Sequence, residues 1–407
     1  MYYFEKALIE TKKGNHELAI ELAEKGIKKN EPYSFYLLGD DDFNEERIKK
    51  DFDPNNPYFL ATLSKIALDE EDIDKGIKLA NESNTGLAFY NLYLFFKEHN
   101  DNHNEKLSLI KAYKLRFSLA FLELTDKYLD DEHAMVYYHD ANLFINSFKK
   151  SIKLGYINGY KAYIRYLSRY EASKRNLIKA NILLDELLNI SNIYKDTVYT
   201  KKIGIYHRLK EYDLEYNLCF KAIKEKVYSP QMFYTYLADL YSNKKFAKYD
   251  IVKAMIYYKA SLGSFRNFTS TLEVAKIYNS IFKNKYMAQE YVRLFKKQEE
   301  YNDLCFSLFE DYWSLIHKYE SSNYKLDDNN NYYKIGMKYL NDNDYNNAYD
   351  SFFKGILLDQ KKCYKSLIVF YSKGIVVEKD IIISGALKSI YNSKIIFKKD
   401  IDKKGWD

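Results

Sequence analysis

The chain has 407 residues, 47% of them hydrophobic, with 43 Tyr and 25 Phe but only 4 Pro and 14 Gly. So few turn-makers argue against an all-β fold, while the aromatic content is enough to bury a large helical core. A net charge of +6 is mild for this length, where a dedicated nucleic-acid domain usually concentrates more basic charge on one face, and the bulk number by itself does not decide between partner classes.

The first predicted pair is the plainest. Phe4, Ala7, Leu8 and Thr11 recur at helical spacing, Gly14 and Asn15 turn the chain, and Leu18, Ala19, Leu22, Ala23 and Gly26 line a second helix that Pro32 terminates. An acidic insertion (Asp40 to Glu46) and a DPNNP loop (Asp53 to Pro57) follow. Tyr58 to Leu68 then pairs with Ile73 to Ala80, and Leu87 to Phe96 with Leu107 to Leu115. Phe117 to Leu129 runs through DDEH to Asn142–Leu154, and Gly155 precedes a helix carrying Tyr163, Tyr166, Leu167 and Tyr170 on one stripe. Asn176 to Leu188 is its partner. Further pairs are Val198 to Leu209 with Leu214 to Ile223, Met232 to Tyr241 with Ile251 to Ser261, and Phe268 to Phe282 with Tyr286 to Phe295. Leu304 to Tyr319, with Trp313, reads as a capping helix.

Two segments repeat one another. Tyr236 to Gly263 and Tyr364 to Ser393 each carry an aromatic-ended helix, a short loop, an Asp and a second helix with small residues. Self-similarity over a few tens of residues marks a stacked helical array. Asp250, Ala254, Tyr257, Tyr258, Ala260 and Gly263 resemble the D-x-x-x-A-x-x-x-Y-x-x-A-x-x-x-G line of Sel-one-like repeats, with small departures in spacing. Tyr371, Gly374, Val377, Asp380 and Ser384 resemble the loop and second helix of another copy, ahead of which Asp359 replaces the usual glycine. Gly14, Ala19, Ala23 and Gly26, and again Asp344, Tyr345, Ala348, Phe352 and Gly355, resemble tetratricopeptide positions.

These resemblances imply an all-α fold, an α-solenoid in which antiparallel helix pairs wind into a right-handed superhelix. The expected organisation is a repeat array over 1–320, a polar Asn-rich seam at 321–333, C-terminal repeats over 334–394 and a basic tail at 395–407. The implied role is that of an adaptor, assembly factor or regulator without a cofactor, and the repeat type suggests a bacterial source.

Chemistry-bearing motifs are absent. There is no phosphate loop, nucleophile elbow, H-E-x-x-H or dinucleotide turn, so no catalytic, cofactor or metal residues are assigned. His99 and His103 flank Asp101 in a predicted inter-helix loop, a pattern that metal sites share with solvated loops; His133 and His139, six apart, do not share a helical face. Asp327, Asn329 and Asn331 imitate the start of a calcium loop, but Tyr332 stands at the glycine position and Lys338 at the closing carboxylate, which excludes calcium. Cys219, Cys305 and Cys363 have no CxxC spacing and give no zinc or disulfide framework. Charges early in the N-terminal segment and the lack of a long apolar run predict no signal peptide and no membrane span, hence a cytoplasmic protein.

The expected function is therefore to bind a protein or peptide along a concave surface built from first helices. Candidate groove residues are Tyr90, Tyr163, Tyr166, Arg169, Tyr234, Tyr278 and Tyr371, several of which must instead be core. The alternative is nucleic-acid binding through Lys149, Lys150, Lys153, Lys161, Arg165, Arg169, Lys174 and Arg175, interleaved with Tyr. Tyr positions that follow the core period favour the first reading.

Overall fold

The computed structural model describes all residues except 1, 40–44, 132, 170, 228–229, 263–267, 300–311, 321–329 and 394–407. Most of the acidic insertion, Gly263, Tyr170, Cys305, the start of the expected capping helix, most of the 321–333 seam, the calcium-like Asp327 and Asn329, and the basic tail therefore lie outside the described residues. What is described is helical, with 24 α-helices and one 3-10 turn among those residues.

Two compact units divide the chain, at 1–190 and 191–407. Within the first, α1 (Tyr3–Lys13) pairs with α2 (His16–Lys28), followed by short α3 (Pro32–Leu37) and α4 (Glu45–Asp51). α5 (Phe59–Asp69) pairs with α6 (Ile73–Ser83), and α7 (Gly86–Glu98) with α8 (Asn102–Lys114). α9 (Ser118–Asp130) pairs with α11 (Ala141–Lys153) across the short α10 (Ala134–Tyr138), and α12 (Ile157–Leu167) with α13 (Lys174–Ile190). In the second unit the pairs are α14 (Lys195–Leu209) with α15 (Tyr212–Lys224), α16 (Pro230–Ser242) with α17 (Ile251–Ser261), and α18 (Phe268–Ser280) with α19 (Lys285–Glu299). After α20 (Trp313–Glu320) come α21 (Tyr332–Asn341) with α22 (Tyr345–Leu357) and α23 (Lys361–Lys373) with α24 (Ile381–Asn392). The expected pairs are all present. The division between compact units falls at 190/191.

Local chemistry explains the punctuation. Several second helices begin at an Asp whose carboxylate accepts a first-turn N–H: Asp72 from Lys75, Asp101 from Asn104, Asp140 from Leu143, and Asp344 from Asn347. Pro32 occupies the first turn of α3, where its missing N–H leaves no bond unmade. Gly14 closes α1 in the left-handed region (φ 84°), its own N–H donating to the Thr11 carbonyl and that of Asn15 to the Glu10 carbonyl. The small tetratricopeptide-like positions are points of close approach. A Cβ on Gly355 would sit 2.2 Å from the Cys363 Sγ, so no larger residue fits between α22 and α23 without displacing them.

The two Sel-like copies share one loop geometry. Asp250 N–H donates to the Tyr241 carbonyl and Asp380 N–H to the Tyr371 carbonyl, both at 2.9 Å, and each carboxylate caps two N–H groups of its helix. The same sequence spacing gives the same turn. What the sequence did not signal is that the copies touch: α24 packs on α17, skipping the helices between them. Ser389 Oγ donates to the Ala260 carbonyl at 3.4 Å, and the Tyr234 hydroxyl lies against Gly385.

Candidate functional site

Among the buried polar groups of the described residues, three clusters that join charged side chains from several helices stand out. The first is built on first helices of the 1–190 unit. Lys12, in the last turn of α1, reaches α9 and lies 2.7 Å from Glu123 and 2.9 Å from Asp126. Glu123 also accepts from the Tyr90 and Tyr93 hydroxyls of α7 at 3.2 and 3.0 Å, with the Lys97 ammonium 3.9 Å away. Asp126 accepts from Tyr156, at the start of α12, and from the Asn158 amide. Elsewhere on α1, Glu5 accepts the N–H of Ser118, so α1 is tied to α9 at both ends.

Burial and charge oppose one another here. Burial alone would push the Lys12 ammonium down and the Glu123 carboxyl up; the carboxylates around the first and the ammonium beside the second reverse both shifts, so Lys12 titrates above and Glu123 below its ordinary value. The pair is ionised at neutral pH. Its face is partly wet: Lys97, Asp126 and Lys127 keep solvent contact around the buried Glu123.

Beside it, Arg165 donates to the Leu129 carbonyl at the end of α9, and the Arg165 and Arg169 guanidiniums both lie over the Tyr128 ring. The expected basic stripe is thereby spread over three helices. Lys149, Lys150 and Lys153 lie on α11, Lys161 and Arg165 on α12 with Arg169 just beyond its end, and Lys174 and Arg175 on α13.

The second cluster is buried in the 191–407 unit. Lys259 of α17 lies 2.5 Å from Asp359, 2.7 Å from the Tyr278 hydroxyl, and 3.2 Å from both the Tyr364 hydroxyl and the Ile356 carbonyl. Asp359 additionally accepts from Tyr364 at 2.5 Å and Tyr291 at 2.8 Å. Here burial prevails over the carboxylate, and the Lys259 ammonium is held below its ordinary value.

The third cluster joins α14, α15, α16 and α17. His207 Nδ1 meets the buried Glu215 carboxylate at 3.2 Å, an interaction that raises the imidazole above its ordinary value. Asp239 accepts from the Tyr258 hydroxyl at 2.7 Å, and burial pushes its carboxyl up to about 6.

The structure re-sorts the expected groove residues. Tyr90, Tyr163, Tyr234, Tyr278 and Tyr371 are at most 7% exposed and are core residues here, because each ring packs between helices while its hydroxyl or face finds an internal partner. Tyr90 bonds Glu123, Tyr163 accepts from Lys179, Tyr278 from Lys259, and Tyr371 meets Tyr349, while Tyr234 stacks on Tyr257. Only Tyr166, half-buried, and Arg169, exposed, remain at the surface. Sequence reasoning missed Lys12, Glu123 and Asp126. Their signal was faint: acidic residues on the inward stripe of a first helix, where apolar residues are the rule.

The histidine motifs are local. Asp101 caps α8, His99 Nδ1 meets the Phe95 carbonyl at 2.8 Å, and His133 and His139 flank α10 at the surface. Among the described residues, no three His, Cys, Asp or Glu side chains come close enough to hold a metal ion. Burial raises the Cys219 thiol and pushes Cys363 up to about 12, away from thiolate reactivity. No helix among the described residues is long and apolar enough to cross a membrane.

No family model matches the chain, and no curated protein matches it. Among solved structures it is similar to c5321, a protective antigen present in uropathogenic Escherichia coli strains and displaying an SLR fold. The likeness covers 86% of this chain and 79% of that one, at 13% identity and a TM-score of 0.34. A likeness that weak carries no conclusion about this chain; its helix-pair architecture rests on the helices themselves.

Proposed function

We propose that the chain is a non-catalytic scaffold that binds a protein or peptide partner on the first-helix face of its 1–190 unit. The observation that carries this reading is the mixed surface around Glu123: carboxylates, ammonium groups and tyrosines from α1, α7, α9 and the start of α12 converge on one half-wet face. Such a surface offers both signs of charge and aromatic edges, which suits a polypeptide better than a uniformly anionic backbone. Tyr166 and Arg169 extend that surface past the end of α9.

Several groups that could serve as nucleophiles are held in their unreactive forms. The buried tyrosines Tyr90, Tyr278, Tyr291 and Tyr364 are all pushed well above the ordinary phenol value by burial, and thus stay protonated. The two described cysteines are raised as well.

The test is site-specific crosslinking in lysate of the source cells. A photoreactive residue at Tyr166 is expected to give one discrete protein adduct that is lost in the Arg169→Glu background; the same residue at Ile20, exposed on the second helix α2, is expected to give none. Equal adducts at both positions, or none at 166, would sink the reading. Nucleic-acid binding through the Lys149 to Arg175 stripe is the competing outcome, and it is read by whether nuclease treatment and a salt series abolish the adduct.

A further inference from the structure

Asp359 stands in the left-handed region (φ 53°), where the repeat pattern places glycine; other non-glycine residues at the helix turns do the same, but among the described ones Asp359 alone is buried, beside a buried lysine a hundred residues earlier in the chain. A buried carboxylate needs surroundings that satisfy it. Those surroundings are complete: both carboxylate oxygens accept hydrogen bonds, and the Lys259 ammonium has acceptors on Asp359, Tyr278, Tyr364 and Ile356. A fully connected buried network specifies one arrangement, whereas a half-connected one is worse than an apolar core.

The network's members come from two sides. Lys259, Tyr278 and Tyr291 belong to α17, α18 and α19; Asp359 and Tyr364 belong to the α22–α23 junction and α23. The contact of α24 on α17, through Gly385 and Ser389, joins the same two sides. We infer that the Lys259–Asp359 pair in its three-tyrosine cage is a latch that docks α21–α24, as one module, onto α17–α19, and that breaking it releases the module while the preceding helices stay folded. Release uncovers the α24 face carrying Gly385 and Ser389 together with the part of α17 it covers. Replacing Asp359 by glycine would suit the backbone but leave the ammonium without its counter-ion, which is why the sequence departure and the buried lysine belong together.

The test is hydrogen exchange on the full chain, read helix by helix. In Lys259→Met, amides of α21–α24 are expected to exchange roughly a hundredfold faster or more, the change that loss of one partner of a buried pair implies, with α14–α16 unchanged. Lys259→Met combined with Asp359→Gly, which removes both charges and the backbone strain together, is expected to bring that exchange back toward the wild-type rate. Should Lys259→Met fail to fold, Asp359→Asn, which removes the charge but keeps one acceptor oxygen and the side-chain volume, gives a milder form of the same regional pattern. Acceleration spread evenly over α14–α24, no acceleration in α21–α24, or a double variant no slower than the single one would each overturn the latch.

Discussion

Lys12 with Glu123 and Lys259 with Asp359 are the same chemical device in two environments. Each sets an ammonium 2.5 to 2.7 Å from a carboxylate and surrounds it with tyrosine hydroxyls. In the 1–190 unit the lysine side chain is 27% exposed, charge attraction outweighs desolvation, and the ammonium is held above its ordinary value. In the 191–407 unit the lysine is 2% exposed and faces one carboxylate where Lys12 faces two, desolvation outweighs the attraction, and the shift has the opposite sign. Deeper burial and the missing second carboxylate act in the same direction.

That contrast can be broken most severely from the buried side. Asp359→Ala leaves Lys259 without a counter-ion and removes an acceptor from the Tyr291 and Tyr364 hydroxyls, and should weaken the docking of α21–α24 by about 3–5 kcal/mol, read from the hydrogen exchange of those helices. A loss under 1 kcal/mol would mean that the cage rehydrates.

pH separates the units next. Asp239 moves from the ordinary 3.8 to about 6, so its contribution is full below 3.8 and is lost as pH rises through 6. His207, raised above 6.5, likewise contributes below 6.5 and loses that contribution as pH climbs past its folded value. The 191–407 unit should therefore lose stability from about pH 4 upward, by about 2 kcal/mol for Asp239 by pH 6–7 given its partial exposure, with His207 adding to the loss above pH 6.5, and Asp239→Asn should flatten the lower part of that slope. Glu123 runs the other way. Its carboxyl is held below 4.5, so the 1–190 unit keeps that contribution above 4.5 and loses it only as pH falls through the lowered value. Melting curves of the two units that move together with pH would refute the assignment.

Glu123→Gln tests the wetter cluster directly. With Lys12 and Lys97 able to turn to water, its loss should be about 1–2 kcal/mol, smaller than that of Asp359→Ala. An equal loss would erase the contrast. At the far end of the scale, Glu21→Gln on α2 breaks a fully exposed pair with Lys25 and should produce no measurable change in either unit's melting.

Much of the fold was legible because its signals are local. An Asp before an apolar stripe, a glycine after one, and alanines at close-approach spacing act within a few residues, and each did so here at Asp101, Asp250, Gly14 and Gly26. The candidate site was not, because tyrosine is ambiguous by construction. Its ring suits a core and its hydroxyl suits a surface, so Tyr163 and Tyr166, three residues apart on one helix, could not be ranked without knowing where neighbouring helices fall. Glu123 and Asp126 were readable only as acids on an inward stripe, and their meaning depended on Lys12, more than a hundred residues earlier.

By itself the sequence determined the helices, their pairing into repeats and the likeness of the two Sel-like copies, since caps, turns and periodicity are set by residues adjacent in the chain. Only the tertiary structure decided that those copies pack side by side through α17 and α24. It also decided which lysine meets which carboxylate and which of those pairs stays wet. Contacts across a hundred residues leave no periodic trace, and burial, which helps set the sign of each charge's shift, is a property of the assembled helices and of no single segment.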